Sequence, residues 1–277
     1  MNRPGNSNRG KYLILVPLAV VFLFPFVWVV LTSLKTNQET LTNPGSLLPA
    51  VPQWGNYPDV IARMNFWREL FNTLVMTLSV TFGQIVVGAL AGYGFARLKF
   101  WGRDWLFLLV LGTMIIPFEI LFVPIFLMLS GWHWLDSYQA LIVPSLASPF
   151  SIFVFRQFFI TIPKDFEEAA KVDGAGPYRT FFSVMLPLSG SAIATVFILT
   201  FLGEWSNLLK PLVFNTNPDM YVLQQGLAIT LNKGANLSPD IATLMTGVIL
   251  VSVLPVVMFL IGQRYFIRSI AASGVKG

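Results

Sequence analysis

Residues 12–34 read YLILVPLAVVFLFPFVWVVLTSL, an apolar run that contains no charged side chain. A helix rising about 1.5 Å per residue needs about 20 such residues to cross a hydrocarbon layer about 30 Å thick, so this run is long enough to span one. Inside lipid no water is present to bond backbone N–H and C=O groups, which restricts spanning segments to helices and closed barrels; a run of this length reads as a helix. Five further runs have the same character: Leu70 to Ala96, Trp105 to Leu129, Tyr138 to Phe159, Leu188 to Leu208 and Ile241 to Phe266. Of the 277 residues, 55% are hydrophobic and 11% charged, against about a quarter charged in an ordinary soluble domain. The expected fold class is all-α, a polytopic membrane protein with six transmembrane helices.

Arg3, Arg9 and Lys11 precede the first run, as in a secretory signal. The run is too long for one and no small-x-small cleavage site follows it, so it reads as a retained anchor. Placing the N-terminus in the cytoplasm puts 13 of the 18 basic residues inside and leaves Lys35, Arg63, Arg68, Lys210 and Lys233 outside. That asymmetry is what the positive-inside rule expects. Residues 1–11 then form a cytoplasmic N-terminus, 12–266 the transmembrane domain, 160–187 a cytoplasmic loop and 267–277 a cytoplasmic tail. The location implied is the cell membrane, in contact with lipid, and the charge needs no nucleic acid to explain it. With no cysteine, disulfides and thiolate metal sites are excluded. No catalytic, metal or cofactor-binding residue is expected on this chain.

Two external loops are substantial, Lys35 to Glu69 and Leu209 to Asp240. The first carries Pro44, Pro49, Pro52 and Pro58 with Trp54 and Tyr57, which suits an irregular segment at the membrane interface. Prolines 17, 25, 117, 124, 144, 149 and 255 fall within spans, where each removes a backbone bond and tends to kink the helix. Gly88 and Gly92, four apart in the second span, predict a face that another helix approaches closely. His133, between Trp132 and Trp134, reads as part of an interfacial aromatic belt.

The hydrophilic stretch Ile162 to Pro187 stands out from its surroundings. Pro163 pre-sets a helix start, and Asp165, Glu167 and Glu168 put negative charge where the helix dipole favours it. Lys171 follows Glu167 by four residues, the spacing of a helical ion pair. Gly174 can take the left-handed conformation that stops a helix, and Pro177 can open another. The spacing predicts helix, sharp turn, helix. Ala169 and Ala170 leave a shallow face suited to a groove on another protein, although a short helix resting on lipid would use the same pattern.

The order Glu168-Ala169-Ala170, three residues, Gly174, nine residues, then Val184-Met185-Leu186-Pro187 resembles the EAA signature of ABC importer permeases. Ser33-Leu34-Lys35, the stretch Gly92 to Phe100, Phe201-Leu202-Gly203-Glu204-Trp205 and the closing Gln263-Arg264-Tyr265-Phe266 resemble the carbohydrate-uptake members, and among them the MalG-like subunit. The resemblance implies a type I importer permease fold and alternating access driven by partners. Those partners are a second, MalF-like permease, two MalK-like ATP-binding subunits and an extracytoplasmic sugar-binding protein. No GxxxxGK[ST] motif is present, so ATP and magnesium belong to the partner ATPases.

The resemblance assigns Glu168, Ala169, Ala170, Asp173 and Gly174 to ATPase docking, with Asp173 bracing the turn, and Gly274, Val275, Lys276 and Gly277 to a second ATPase contact. Pro218, Asp219 and Tyr221 resemble the loop that meets the binding protein, although a solvated cap would read the same way. Glu119 and Glu204 are carboxylates within spans, where an ionisable group usually faces a cavity or a partner. With Trp205 as a stacking face and Asn207 as a hydroxyl partner they form the candidate substrate pathway; interfacial anchoring of Trp205 and a structural bond for Glu204 are the competing roles. The chain departs from its relatives at Trp205-Ser206-Asn207 and Lys210-Pro211. Two rival functions share much of this pattern. One is an ABC permease for a peptide, polyamine or phosphate ester; the other is a stand-alone carrier, which would usually carry the inverted repeats that are not evident in this sequence.

Overall fold

The computed structural model describes the backbone of residues 7–229 and 240–274, and the side chains of 11–229 and 240–261. The ATPase contact expected at Gly274 to Gly277, and Lys233, expected to be external, lie outside the residues whose side chains are described. No strand occurs among the described residues. Three helices are each long and apolar enough to cross a membrane, Lys11–Ser33, Phe66–Arg97 and Ile241–Ile261. Three bent pairs reach that length together, which allows up to six crossings. The expected run from Trp105 to Leu129 is one such pair: α-helix Arg103–Thr113 stops, and the chain turns by 88° into Phe118–Gly131. Pro117 sits at this break, where a residue with no N–H cannot continue a helical ladder. Tyr138–Ser145 meets Pro149–Thr161 at 41°, and Pro177–Leu188 meets Gly190–Trp205 at 73°. Pro117 and Pro149 thus stand at breaks, whereas Pro124 lies inside a helix and Pro17, Pro25 and Pro255 lie inside the long ones.

The chain forms two compact units. The smaller contains Met1–Trp67 and Gly226–Val253. The loop from Lys35, expected to be external, is more ordered than its composition suggests, with short helices Asn37–Thr42 and Asn56–Arg63. Asn56 donates to the carbonyls of Ser33 and Lys35, and Thr246 Oγ1 donates to that of Ser33. Lys35 is buried, with its ammonium on the backbone and hydroxyl oxygens of Ser46. A segment expected to lie loose at the surface is thus tied down by caps on the last carbonyls of a span, groups that have no partner within the helix.

The larger unit contains Arg68–Gln225 and Leu254–Gly277. Helix Phe66–Arg97 packs closely on Pro149–Thr161. A Cβ added at Gly88 would stand 2.8 Å from Ser151 Cβ, and one at Gly92 would stand 2.7 Å from Phe155 Cβ and 2.8 Å from the Arg156 nitrogen. The GxxxG spacing thus serves contact inside this chain. Around it a core of Ile85, Ala89, Tyr93, Phe155, Phe159, Phe181 and Met185 closes, with Tyr93 edge-on to Phe159 at 5.9 Å and tilted against Phe181 at 5.2 Å.

Candidate functional site

A cleft of about 890 Å³ opens in the larger unit, and Glu119, Glu204 and Asn207 line it together with Gln84, Ser145 and Thr200. The break at Pro117 places Glu119 on the exposed 3-10 turn Phe118–Leu121, where its carboxylate has no hydrogen bond or ion pair among the described residues. Glu204 is different. Helix Gly190–Trp205 ends one residue later, a short turn follows, and helix Leu209–Phe214 brings Lys210 back onto it. The ammonium contacts Glu204 Oε2 and also donates to Ser145 Oγ at 3.1 Å. Lys210 is fully buried and the Glu204 side chain 12% exposed, so this carboxylate faces the cleft with its charge already matched.

Gln84 holds the cleft wall. Its Nε2 donates to the Ser145 carbonyl at 2.9 Å, and its Oε1 accepts from Ser151 Oγ at 3.1 Å and Thr200 Oγ1 at 3.0 Å. Three polar atoms on three other segments are thereby satisfied without water, as a low-dielectric setting demands. Sequence reasoning missed Gln84 and Lys210. An amide deep within an apolar span was the available signal for the first; the second carried none, because Lys210 reads as an ordinary loop lysine.

Trp205 departs from expectation. It is 2% exposed, is not among the cleft-lining residues, and stacks on Phe201 with centroids 5.7 Å apart and planes 20° from parallel. It is neither a face for a sugar ring nor an interfacial anchor. The aromatic spacing Phe197, Phe201, Trp205 at i, i+4 builds a stacked column instead.

At the other end of this unit, helix Asp165–Val172 ends in a turn made by Gly174, whose φ is +75°. The Ala175 N–H reaches the Ala170 carbonyl at 2.9 Å and the Gly174 N–H the Lys171 carbonyl at 3.0 Å. This pair of bonds is the Schellman stop, and it requires a residue that tolerates the left-handed region. Pro177 opens the next helix as expected, and a π-helical turn, Phe181–Met185, follows.

Three details differ from the sequence reading. Glu167 does not pair with Lys171; its Oε1 lies 3.1 Å from Arg97 Nε, on the last residue of helix Phe66–Arg97. The spacing rule describes an isolated helix, and a buried guanidinium is a stronger partner than a solvated ammonium. Ala170 is buried inside this chain at 9% exposure, so it is not part of an outward docking face. Among the described residues Asp173 caps through its backbone N–H, on the Ala169 carbonyl, and its exposed carboxylate has no side-chain partner. Glu168 and Ala169 do face outward, flanked by exposed Phe166, Val172 and Tyr178.

The Pro218–Met220 turn, in a loop expected to be external, is anchored by side chains of the larger unit. Asn72 Nδ2 donates to the carbonyls of Asp219 at 2.9 Å and Tyr221 at 2.8 Å, and Tyr138 Oη donates to Asn72 Oδ1 at 2.6 Å. Pro218 and Asp219 remain exposed and Tyr221 partly so. Asp136 holds the neighbouring strand of chain: its carboxylate accepts from the Thr216 and Asn217 N–H groups and from Thr216 Oγ1. Partial burial pushes the Asp136 pKa up, but those three bonds outweigh it and hold the carboxyl below its usual range. His133 sits in the same turn with φ +56°, beside Trp132 and Trp134, whose rings meet edge to face at 5.3 Å. Among the described residues no group of three or more His, Asp or Glu side chains is placed to hold a metal.

A family profile described as binding-protein-dependent transport system inner membrane component matches residues 84–272. The arabinooligosaccharides transport system permease protein AraQ of Halalkalibacterium halodurans is 34% identical over 263 residues, which cover 94% of this chain and 93% of that protein. The sn-glycerol-3-phosphate transport system permease protein UgpE of Escherichia coli O1:K1 is 31% identical over 278 residues, covering 98% of each. Among solved structures, a chain of a bacterial ABC transporter involved in the import of the acidic polysaccharide alginate superposes with a TM-score of 0.80 at 23% identity, over 96% of this chain and all of that one.

Proposed function

Because this chain belongs to the family of binding-protein-dependent transport system inner membrane components, we propose that it forms half of the translocation pathway of an ATP-driven importer for a carbohydrate. The identity of 34% with a permease named for arabinooligosaccharides, extending over nearly the whole of both chains, carries the reading. Permeases of this kind work with a second permease, ATPase subunits and an external binding protein; in this reading those are MalF-like, MalK-like and sugar-binding, and both termini of the present chain are cytoplasmic. ATP and magnesium on the partners supply the driving closure.

In this reading Glu168 and Ala169, with Gly174 setting the turn, present the docking surface for the ATPase. The tail from Gly274 through Val275 and Lys276 to Gly277 adds a second contact. Pro218, Asp219 and Tyr221 face the binding protein. The substrate passes the cleft lined by Glu119, Glu204 and Asn207. Rigid-body rocking of the spans, biased by the ATPase at the Glu168 helix, exposes that cleft to each side in turn.

A phosphate-ester substrate is the second reading, favoured by the likeness to a permease named for sn-glycerol 3-phosphate. The cleft argues against it. Lys210 is committed to Glu204, and Glu119 remains as an unmatched negative charge, so the described lining repels a phosphate dianion and accepts neutral hydroxyl groups. The test is uptake into proteoliposomes holding the whole transporter. Labelled arabinooligosaccharide and related neutral sugars are expected to accumulate with ATP and binding protein present. Accumulation of sn-glycerol 3-phosphate to the exclusion of sugars would overturn the substrate assignment, and uptake without any ATPase subunit would overturn the class.

A further inference from the structure

Arg97 ends helix Phe66–Arg97 and does two things at once. Its Nη2 donates to the Phe159 carbonyl at 2.6 Å and to the Ile162 carbonyl. These oxygens belong to the C-terminal end of Pro149–Thr161 and the residue that follows it, where carbonyls have no partner within the helix. The other side of the same guanidinium faces Glu167 on helix Asp165–Val172, at 3.1 Å. The two side chains are 7% and 12% exposed. One planar group thus joins a second span, a fourth span and the cytoplasmic loop. Only arginine has the fork to do so, since a lysine ammonium is a single point charge.

The neighbours make this junction a mechanical one. Gly88 and Gly92 bring the two spans into close backbone contact beside Arg97, and packing that tight resists their separation. Adjacent carboxylates on the loop helix point opposite ways, Glu168 to the outside and Glu167 to Arg97. Arg97 Nε and Glu167 Oε1 are close but not aligned as a hydrogen bond. Attraction by charge alone tolerates sliding, as a loop that tilts against its spans needs, while burial keeps the attraction strong.

We infer that Arg97 is a positioning residue for energy coupling: through Glu167 it carries displacement of the Asp165–Val172 helix into the closely packed pair of spans. The inference rests on the importer reading and adds the part within this chain that receives the motion. It is tested in the complete transporter, reconstituted with its ATPase subunits and binding protein, by counting ATP hydrolysed per solute imported. Glu167→Gln removes the charge but leaves Arg97 on its carbonyls, so the chain folds and the complex copurifies. The ATP used per solute is expected to rise about tenfold, within the range of ordinary coupling free energies. Glu167→Asp keeps the charge and is expected to recover most of the coupling, a rescue that a merely space-filling role would not give. Arg97→Lys is expected to lie between the two. A Glu167→Gln transporter with the wild-type ratio would overturn the inference, and so would one that loses its ATPase subunits, because Glu167 would then belong to docking. A wild-type chain that copurifies with no ATPase would instead sink the importer reading itself.

Discussion

Arg97 with Glu167 and Lys210 with Glu204 are both buried ion pairs, yet they are built from different materials. The first joins the end of one long helix to a loop helix far along the chain, and its cation also caps two carbonyls. The second closes a turn between consecutive helices, its two residues six apart, and among the described residues its ammonium meets Glu204 and one hydroxyl. Removing two charges from water costs several kcal/mol per ion, so neither pair is explained by stability alone. What each pair reaches differs: the local one fixes the charge of a cleft, and the long-range one links bodies that can move.

Substitutions separate the two designs. The largest effect is expected at Lys210→Met, which strands the buried Glu204 carboxylate and should destabilise the chain by roughly 3–5 kcal/mol. Thermal unfolding of the detergent-solubilised complex measures it, and adding Glu204→Gln should restore most of the loss. A full-sized loss at Glu167→Gln in the same assay would erase the distinction between the pairs. Gly92→Ala comes next. Its methyl would press on backbone at Phe155 and Arg156 and force apart the two spans that Arg97 bridges, at about 2 kcal/mol. Coupling should suffer as well as unfolding temperature, whereas Gly94→Ala, with open space around it, should change neither.

Gly174→Val follows at about 1–2 kcal/mol, from a β-branched residue held at φ +75°. No atom stands within 4 Å of its added Cβ, so the whole cost is conformational. Reduced copurification of the ATPase subunits would register the deformed turn. The smallest effect concerns Asp136. Its carboxyl pKa is held down in the folded chain, so the stability it contributes is present above the unfolded value of about 3.9 and lost as pH falls through the folded one. Hydrogen exchange at Thr216 and Asn217, relative to intrinsic rates, should be protected at neutral pH and released in acid. Asp136→Asn should remove the protection at both.

The three continuous apolar helices and the glycine stop could be read from the chain because both depend on local rules, apolar length and the conformational freedom of one residue, whereas the bends in the other three runs could not. The partner of Glu167 could not. Lys171 satisfies the helical spacing, and only the fold reveals that Arg97 stands closer in a drier place. Trp205 failed for a related reason: residue type suggested a sugar platform, while the direction of its ring depends on a stacked column with Phe197 and Phe201. Glu119 and Asn207 could be nominated because a polar group within a span needs a reason to be there, and a cleft is one. Lys210 could not, since a short turn after Trp205 folds it inward from what reads as an external loop.

The right-angled interruption at Pro117 leaves peptide groups without helical partners within a run expected to cross lipid, and in lipid such groups persist only beside water or protein. A standing pool of solvent inside a cell's electrical insulation is a short circuit unless something plugs it. The chain supplies the basin, and the plug has to come from whatever closes over Glu119 in the assembled machine, so the resting proton leak of liposomes carrying this polypeptide by itself should exceed that of liposomes carrying the complete transporter.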